Sequence, residues 1–323
     1  MKPFTLIRPA TLSEAAREAA KPSSELKAGG VDLLDRLKEG FDSPQRVVSI
    51  AHMPGLDEIS AGPPAKIGAL ATLARISSSA DLKRIYPALA DAAEGAATPQ
   101  IRNMATLGGN LCQRPRCWYY RLAEFDCRKK GGATCYAQDG ENRFHAIFDS
   151  DLFCCCLHPS ATAVALLAYG AKLNTVSPRG RRTIALDNFF VRPIEDALRE
   201  NVLASGEIIE TVTIPAPPPG ARSIYRKLKE KESFDWPLVE VCVNLTVSGG
   251  TVGDARVILG SVAPTPHRSP EAEAVLRGAK AGPEIAARAA QVAVSTAKPL
   301  AQNAFRVRLA RVTLERALRE ILA

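Results

Sequence analysis

Asn103-Met-Ala-Thr-Leu-Gly-Gly-Asn110, together with the cysteine-rich segment directly after it, is the stretch on which the reading of this 323-residue chain turns. Its paired glycines let backbone amides approach a flat or phosphorylated ligand closely. Seven of the chain's eight cysteines then fall between Cys112 and Cys156. Cys117, Cys127, Cys135 and the triplet Cys154, Cys155 and Cys156 are too far apart for a local finger, yet they converge if the segment folds over one centre. Four thiolates around one centre suggest an iron–sulfur cluster or a closed zinc site. Arg116, Arg128, Lys129 and Lys130 stand beside these positions and would offset thiolate charge, while Trp118, Tyr119, Tyr120 and Phe125 would shield the centre from water. Cys112 and Cys242 read as small buried side chains.

A second glycine pair lies upstream in Leu26-Lys-Ala-Gly-Gly-Val-Asp-Leu33. There a turn with positive φ would point amides at an anion, or would simply lead into a helix over Leu33 to Leu37. Neither loop matches the dinucleotide GxGxxG pattern or a P-loop. Ser248-Gly-Gly-Thr-Val-Gly253 joins two alternating runs, Val239 to Val247 and Ala255 to Val262, and reads as a hairpin turn. Around these landmarks the pattern predicts a strand at Phe4 to Arg8, a helix opened by the capping box Thr11-Leu-Ser-Glu14, a strand at Arg46 to Ile50 and a helical stretch from Ile85 to Ala97. Near the C-terminus, Val307, Leu314, Leu318 and Ile321 recur at helical spacing. That spacing assigns Arg306, Arg308, Arg311, Arg316 and Arg319 to a solvated or partner-facing side.

Composition is that of a soluble globular protein of two or three domains, 46% hydrophobic and 24% charged. The net charge of +8 is spread thinly, and no zinc-finger, RNA-recognition or basic-zipper signature accompanies it, so nucleic acid is not expected as a partner. The first ten residues have no apolar signal-peptide core. Leu152 to Leu173 imitates a membrane span, but Pro159, Ser160 and Thr162 interrupt it, and a buried metal lobe followed by a core helix accounts for it better. Many cysteines without a secretory signal point to metal rather than disulfides.

Ala28-Gly-Gly-Val-Asp32, Ile67-Gly-Ala69, Ile101-Arg-Asn-Met-Ala-Thr-Leu-Gly-Gly-Asn110, Gly206-Glu-Ile-Ile209, Tyr225-Arg-Lys227 and Gly260-Ser-Val-Ala-Pro-Thr265 together resemble the FAD-binding medium subunit of molybdenum hydroxylases, the xanthine dehydrogenase and aldehyde oxidoreductase relatives. The cysteine segment is similar to the branch with an extra 4Fe-4S cluster, as in three-subunit bacterial aldehyde oxidoreductases and the β-subunit of 4-hydroxybenzoyl-CoA reductase. The resemblance implies an α+β chain of the vanillyl-alcohol-oxidase-like (PCMH-type) FAD-binding fold. Its two N-terminal subdomains would be residues 1–55 and 56–217, the latter with the Fe–S segment 112–157. A C-terminal domain of antiparallel sheet plus helices would cover residues 218–323. It further implies FAD held by Leu26, Lys27, Ala28, Gly29, Gly30, Val31, Asp32 and Leu33 around the pyrophosphate. Ala105, Thr106, Gly108, Gly109 and Asn110 would line the isoalloxazine and ribityl part, Ile209 would pack on the ring system, and Lys227 would lie near its polar edge. The implied cluster ligands are Cys117, Cys127, Cys135 and Cys154, with Cys155 next in line for the fourth.

In such an assembly a large molybdopterin subunit oxidises the organic substrate, a small 2Fe-2S subunit relays electrons, and this chain passes them to an external acceptor as part of a heterotrimer, alone or dimerised. No side-chain acid, base or nucleophile is implied here, and the expected compartment is the cytoplasm, with co-export alongside a signal-bearing partner as the alternative. Three positions depart from the family pattern. Val31 replaces a threonine and removes a hydroxyl donor, Ala161 stands where an aspartate commonly approaches the cofactor, leaving Ser160 or a water to substitute, and Ala96 stands where eukaryotic relatives carry an aromatic cover. Two rivals remain at this level: a non-catalytic zinc scaffold, and a free-standing flavin oxidoreductase with a His or Tyr base near the flavin.

Overall fold

Three sheets follow one another along the chain in a computed structural model that describes residues 1–150, 153–231 and 233–323. The first comprises β1 (Thr5–Ile7), β2 (Ser24–Lys27) and β3 (Arg46–Ser49), all parallel in the order β1-β3-β2, with α1 (Leu12–Ala19) and α2 (Val31–Glu39) as the crossovers. Thr11 caps α1 by accepting from the Glu14 amide at 3.1 Å. The Glu14 carboxylate returns to the Ala10 amide at 2.8 Å, one residue earlier than a reciprocal capping box reaches.

The second sheet contains β4 (Ile59–Ser60), β5 (Ala65–Gly68), β6 (Lys172–Ser177), β7 (Gly180–Ala185) and β8 (Ile208–Ile214), antiparallel in the order β4-β5-β8-β6-β7. Between β5 and β6 the chain makes α3 (Leu73–Ser78), α4 (Ala80–Ile85), α5 (Pro87–Glu94), α6 (Pro99–Met104), α7 (Leu107–Leu111), α8 (Trp118–Arg121) and α9 (Ala161–Ala168). The helical stretch expected from Ile85 to Ala97 is divided at Tyr86, because Pro87 cannot donate an amide hydrogen and instead opens α5. All eight residues of α9 are buried, so the membrane-like run is a core helix; Leu152, where that run begins, lies outside the described residues. Among the described residues no helix is long and apolar enough to cross a membrane.

The third sheet, β9 (Ala221–Leu228), β10 (Val239–Ser248), β11 (Thr251–Gly260) and β12 (His267–Arg268), is antiparallel in the order β12-β11-β10-β9. The β10–β11 hairpin turns on Gly249 and Gly250, both at positive φ (55° and 73°). Helices α10 (Pro270–Leu276), α11 (Pro283–Ala293) and α12 (Phe305–Leu322) contribute Leu276, Ile285, Leu314 and Leu318 to a core shared with this sheet. A second core joins α5 and α9 to β5 and β8 and takes in Tyr225, Cys242 and Ile258, so the middle and last sheets are packed together through α9. On α12, Arg308, Arg316 and Arg319 are exposed as expected, whereas Arg306 is wholly buried. Its place at the start of the helix aims it at the carbonyls of Leu238 and Ser261 instead of solvent.

Candidate functional site

Both glycine loops open onto one cleft of about 600 Å³. The first loop ends β2 and starts α2, whose cap, Gly30, sits at φ 82° and supplies no side-chain hydrogen bond. The amides of the first turn of α2 are therefore left for an anion, with the helix dipole behind them. Gly29 lies so close to the second loop that a Cβ there would come 1.8 Å from the Met104 carbonyl oxygen, which explains a glycine on steric grounds alone. In the second loop Thr106 caps α7 by accepting from the Gly109 amide at 3.2 Å. Asn110 is fixed by hydroxyl donors from Ser160 and Thr162, each 2.6 Å from its Oδ1, leaving its NH2 as the remaining donor.

Leu26, Ala28, Gly29, Gly30, Val31, Asp32, Leu33, Ala105, Thr106, Gly108, Gly109, Asn110, Ile209 and Lys227 all line this cleft. Lys27 does not; its ammonium bends back to the Ala28 carbonyl at 3.3 Å. The three departures take concrete form. Val31 and Ala161 line the cleft without a polar group, and Ser160 is already committed to Asn110 and to the Ala163 amide, so its hydroxyl is not available to replace an aspartate. Ala96 also lines the cleft, but Phe234 and Trp236, 63% and 57% exposed, reach it from the β9–β10 connection. Neither aromatic was singled out in the sequence, and nothing local to residues 234–236 marks them.

Glu240 is a further lining residue that the sequence reading passed over. It pairs across strands with Lys227, accepts from the Ser261 hydroxyl at 2.8 Å and takes a short hydrogen bond from Tyr225 at 2.5 Å. Burial pushes its carboxyl above the usual range despite these donors, and burial likewise lowers Lys227, with Glu240 working against that shift. Lys227 donates to the Gly95 carbonyl at 2.8 Å. Among the described residues no histidine or tyrosine lines the cleft, so the base that a free-standing oxidoreductase calls for is not presented there.

Cys117, Cys127, Cys135, Cys154, Cys155 and Cys156 surround a second, smaller cavity with Tyr119, Tyr120, Arg128, Lys129 and His145. Cys135 and Cys155 bring their sulfurs within 3.7 Å, and His145 Nε2 stands 3.2 Å from Cys117 Sγ. Among the described residues no three His, Cys, Asp or Glu side chains are arranged to hold a single metal ion. Burial pushes the Cys117 thiol up to about 12 and raises Cys127, while donors from Cys154 and Cys155 hold Cys135 far below the usual thiol range. Cys117 and Cys127 are thus favoured as neutral thiols and Cys135 as a thiolate, and a metal centre would supply the positive charge that deprotonates the others. The thiol-rich donor set, enclosed by aromatic rings, fits such a centre. Phe125 packs edge-on against Tyr119 at 5.0 Å, and Trp118 against His145 at 4.9 Å.

The cations are divided between the two sites. Lys129 and Arg128 stay with the cysteines, and Lys129 pairs with Glu200 at 3.0 Å. Arg116, expected to offset thiolate charge, turns toward the cleft, where it meets Asp32 at 2.9 Å, Asp35 at 3.2 Å and the Trp236 ring at 5.1 Å. Asp32 also accepts from Arg121 at 2.7 Å and from the Arg114 amide at 3.1 Å. Burial pushes the Asp32 carboxyl up, but these cations outweigh it and the net shift is downward. A single carboxylate in the first turn of α2 thus anchors the cysteine segment at Arg114, Arg116 and Arg121.

Residues 2–217 match the family model of the FAD binding domain in molybdopterin dehydrogenase, and residues 223–321 match the CO dehydrogenase flavoprotein C-terminal domain. The chain is 35% identical to the aldehyde oxidoreductase FAD-binding subunit PaoB of Escherichia coli K12, covering 100% of this chain and 99% of that one. It is 28% identical to the carbon monoxide dehydrogenase medium chain of Hydrogenophaga pseudoflava, over 92% of this chain and 88% of that one. Among solved structures, the carbon monoxide dehydrogenase of H. pseudoflava lacking the Mo-pyranopterin moiety superposes with a TM-score of 0.78 at 26% identity, covering 99% of this chain and 98% of its counterpart. With both halves matched and a cleft whose walls suit a dinucleotide flavin, the chain belongs to the FAD-binding subunits of the molybdopterin-dependent dehydrogenases, the molybdenum hydroxylase family.

Proposed function

We propose that this chain is the FAD- and 4Fe-4S-containing electron-transfer subunit of a heterotrimeric molybdenum hydroxylase that oxidises aldehydes. The observation that carries the reading is the convergence of Cys117, Cys127, Cys135 and the 154–156 triplet on one enclosed cavity, in the same chain as the flavin cleft. End-to-end similarity to an aldehyde oxidoreductase subunit supports the substrate class. Residues 1–55 and 56–217 act as the two flavin subdomains and 218–323 as the C-terminal domain. The α2 amides with Leu26 and Ala28 to Leu33 hold the pyrophosphate; Ala105, Thr106, Gly108, Gly109, Asn110, Ile209 and Lys227 hold the ring and ribityl part. Cys117, Cys127, Cys135 and Cys154 hold the cluster. Bound FAD accepts single electrons from clusters and hands on a pair. The chain's own residues position the two centres and set their electrostatics, while a molybdopterin subunit and a 2Fe-2S subunit supply the electrons and an external acceptor takes them. Assembly belongs in the cytoplasm, where the thiols stay reduced.

An anaerobic absorption spectrum of the purified protein, before and after dithionite, alongside iron, zinc and acid-released flavin analysis, tests this reading. The expected result is flavin bands over a broad iron–sulfur shoulder with about four irons per chain. Zinc in place of iron overturns the cluster, and iron without flavin overturns the cleft assignment.

A further inference from the structure

Glu240 is only 1% exposed, yet it forms part of the wall of the flavin cleft. It sits on β10 between Lys227 of β9 and Gly260 of β11. A Cβ on Gly260 would come 2.8 Å from Glu240 Oε2 and 2.6 Å from Val164 of α9, so glycine there leaves the room that the acid occupies. Two hydroxyls hold the carboxylate, Tyr225 at 2.5 Å on Oε1 and Ser261 at 2.8 Å on Oε2. Ser261 is itself kept at φ 56°, a conformation that costs a residue with a side chain, and its carbonyl is taken by buried Arg306. Among the described residues Glu240 has no ion-pair partner, because Lys227, across the strand, gives its ammonium to the Gly95 carbonyl at 2.8 Å. The other titratable or charged groups around it, among the described residues, are Cys242, two residues on along the same face, Asp91 of α5, whose charge is felt by Tyr225 and Cys242, and Arg306 of α12 behind Ser261. Burial raises the Cys242 thiol, which is therefore neutral. Burial also raises the Glu240 carboxyl, while Tyr225, Lys227 and Ser261 work against that shift, so a modest change of charge in the cleft decides whether it holds a proton.

We propose that Glu240 is a redox-linked proton site of the flavin cleft: a carboxylate while the bound flavin is oxidised, it takes up one proton when two electrons arrive and releases it when the external acceptor removes them. The electrons add negative charge beside a buried carboxylate, and a like charge raises that carboxylate's proton affinity. The proton comes from solvent and returns there, in addition to any that the flavin itself carries. Tyr225 and Ser261 suit both states, since a hydroxyl donates to the carboxylate and accepts from the acid. This rests on the proposed placement of the flavin ring beside Lys227.

The test is a redox titration of the flavin in the purified complex, followed by its absorbance at several values between about pH 5 and pH 9, for wild type, Glu240→Gln and Lys227→Met, with flavin content measured in each sample. Lys227→Met is expected to lower the midpoint in acid, where Glu240 is neutral and the lost cation is not compensated. Glu240→Gln is expected to match wild type in acid, where the carboxyl is protonated in both redox states, and to lie above it in alkali, where the wild-type charge opposes reduction. Between these limits the wild-type midpoint falls more steeply than the variant's by about 30 mV per pH unit, a tenfold change in proton concentration expressed for a two-electron couple. Should Glu240→Gln not fold, Tyr225→Phe replaces it; losing a donor to the carboxylate raises its proton affinity and must move the steep region to higher pH. Equal slopes in wild type and Glu240→Gln, or an unmoved steep region in Tyr225→Phe, overturn the proton site, and a midpoint shifted by Lys227→Met leaves the ring placement standing. A midpoint in acid that Lys227→Met leaves unchanged overturns the placement and the inference with it.

Discussion

The flavin cleft and the cysteine cavity are both made by residues distant in sequence, but they stand in opposite energetic condition. The cleft is largely a backbone construction: two glycine loops abut at Gly29 and Met104, α2 presents uncapped amides, and Asn110 is fixed by Ser160 and Thr162. The cavity gathers six buried or half-buried thiols and a buried histidine. That arrangement is unfavourable unless a charged centre organises it. The cleft is thus held by its own backbone and caps, whereas the proposed cluster would be what organises the cavity.

The sharpest way to break this contrast is Cys135→Ser, which removes the sulfur facing the triplet. Iron is expected to fall from about four per chain to near none, with a lower melting temperature, because the segment loses the centre that offsets its buried polar groups. Flavin should remain bound, since no cleft residue is altered. Wild-type iron content in this variant would remove Cys135 from the ligand set. The reciprocal change is Gly29→Ala. Its Cβ would stand 1.8 Å from the Met104 carbonyl oxygen, so the two loops must separate. FAD affinity is expected to fall roughly a hundredfold, about 3 kcal/mol, while iron is retained. Equilibrium titration of the flavin-stripped protein checks it, and unchanged affinity would show that the loops are not the pyrophosphate cradle.

The two regions also differ in how much could be read from residue type. Gly29, Gly30, Gly108 and Gly109 are legible because only glycine meets such close approaches, and the cysteines are legible because thiols are rarely gathered without a use. Trp236 and Phe234, which reach the cleft from the β9–β10 connection, and Glu240, which reaches it from the start of β10, were not, since no local pattern marks them and nothing in a single sequence couples residue 236 to residue 96. Charge next to a cysteine in the chain also misled. Arg116 precedes Cys117, yet its side chain turns to Asp32 and Asp35 in the other site. Helical periodicity placed Leu314 and Leu318 correctly but not Arg306, because a residue at a helix start faces whatever the incoming chain packs against. Element types were legible from period and punctuation, and the exception at Tyr86 follows from Pro87.

Asp32→Asn gives the smallest effect of the three and tests whether the two regions are independent. Asp32 lines the flavin cleft, while Arg114, Arg116 and Arg121, which bind its carboxylate, belong to the cysteine segment. Asparagine keeps an acceptor but loses the charge, a loss of about 2 kcal/mol for charge-assisted hydrogen bonds at a mostly buried site. Because the folded-state pKa is lowered, the clamp's stabilisation is fully present above the unfolded value of about 4 and disappears as pH falls through the folded value. Melting temperatures of wild type and Asp32→Asn should therefore be well separated at neutral pH and converge in acid. If the clamp couples the sites, each cofactor raises the affinity for the other by one and the same coupling free energy, and Asp32→Asn is expected to diminish that coupling as read from FAD affinity with and without iron. A variant that loses stability uniformly at every pH, with both cofactors retained as in wild type, would show instead that Asp32 only packs, and that cleft and cavity share a chain without sharing an equilibrium.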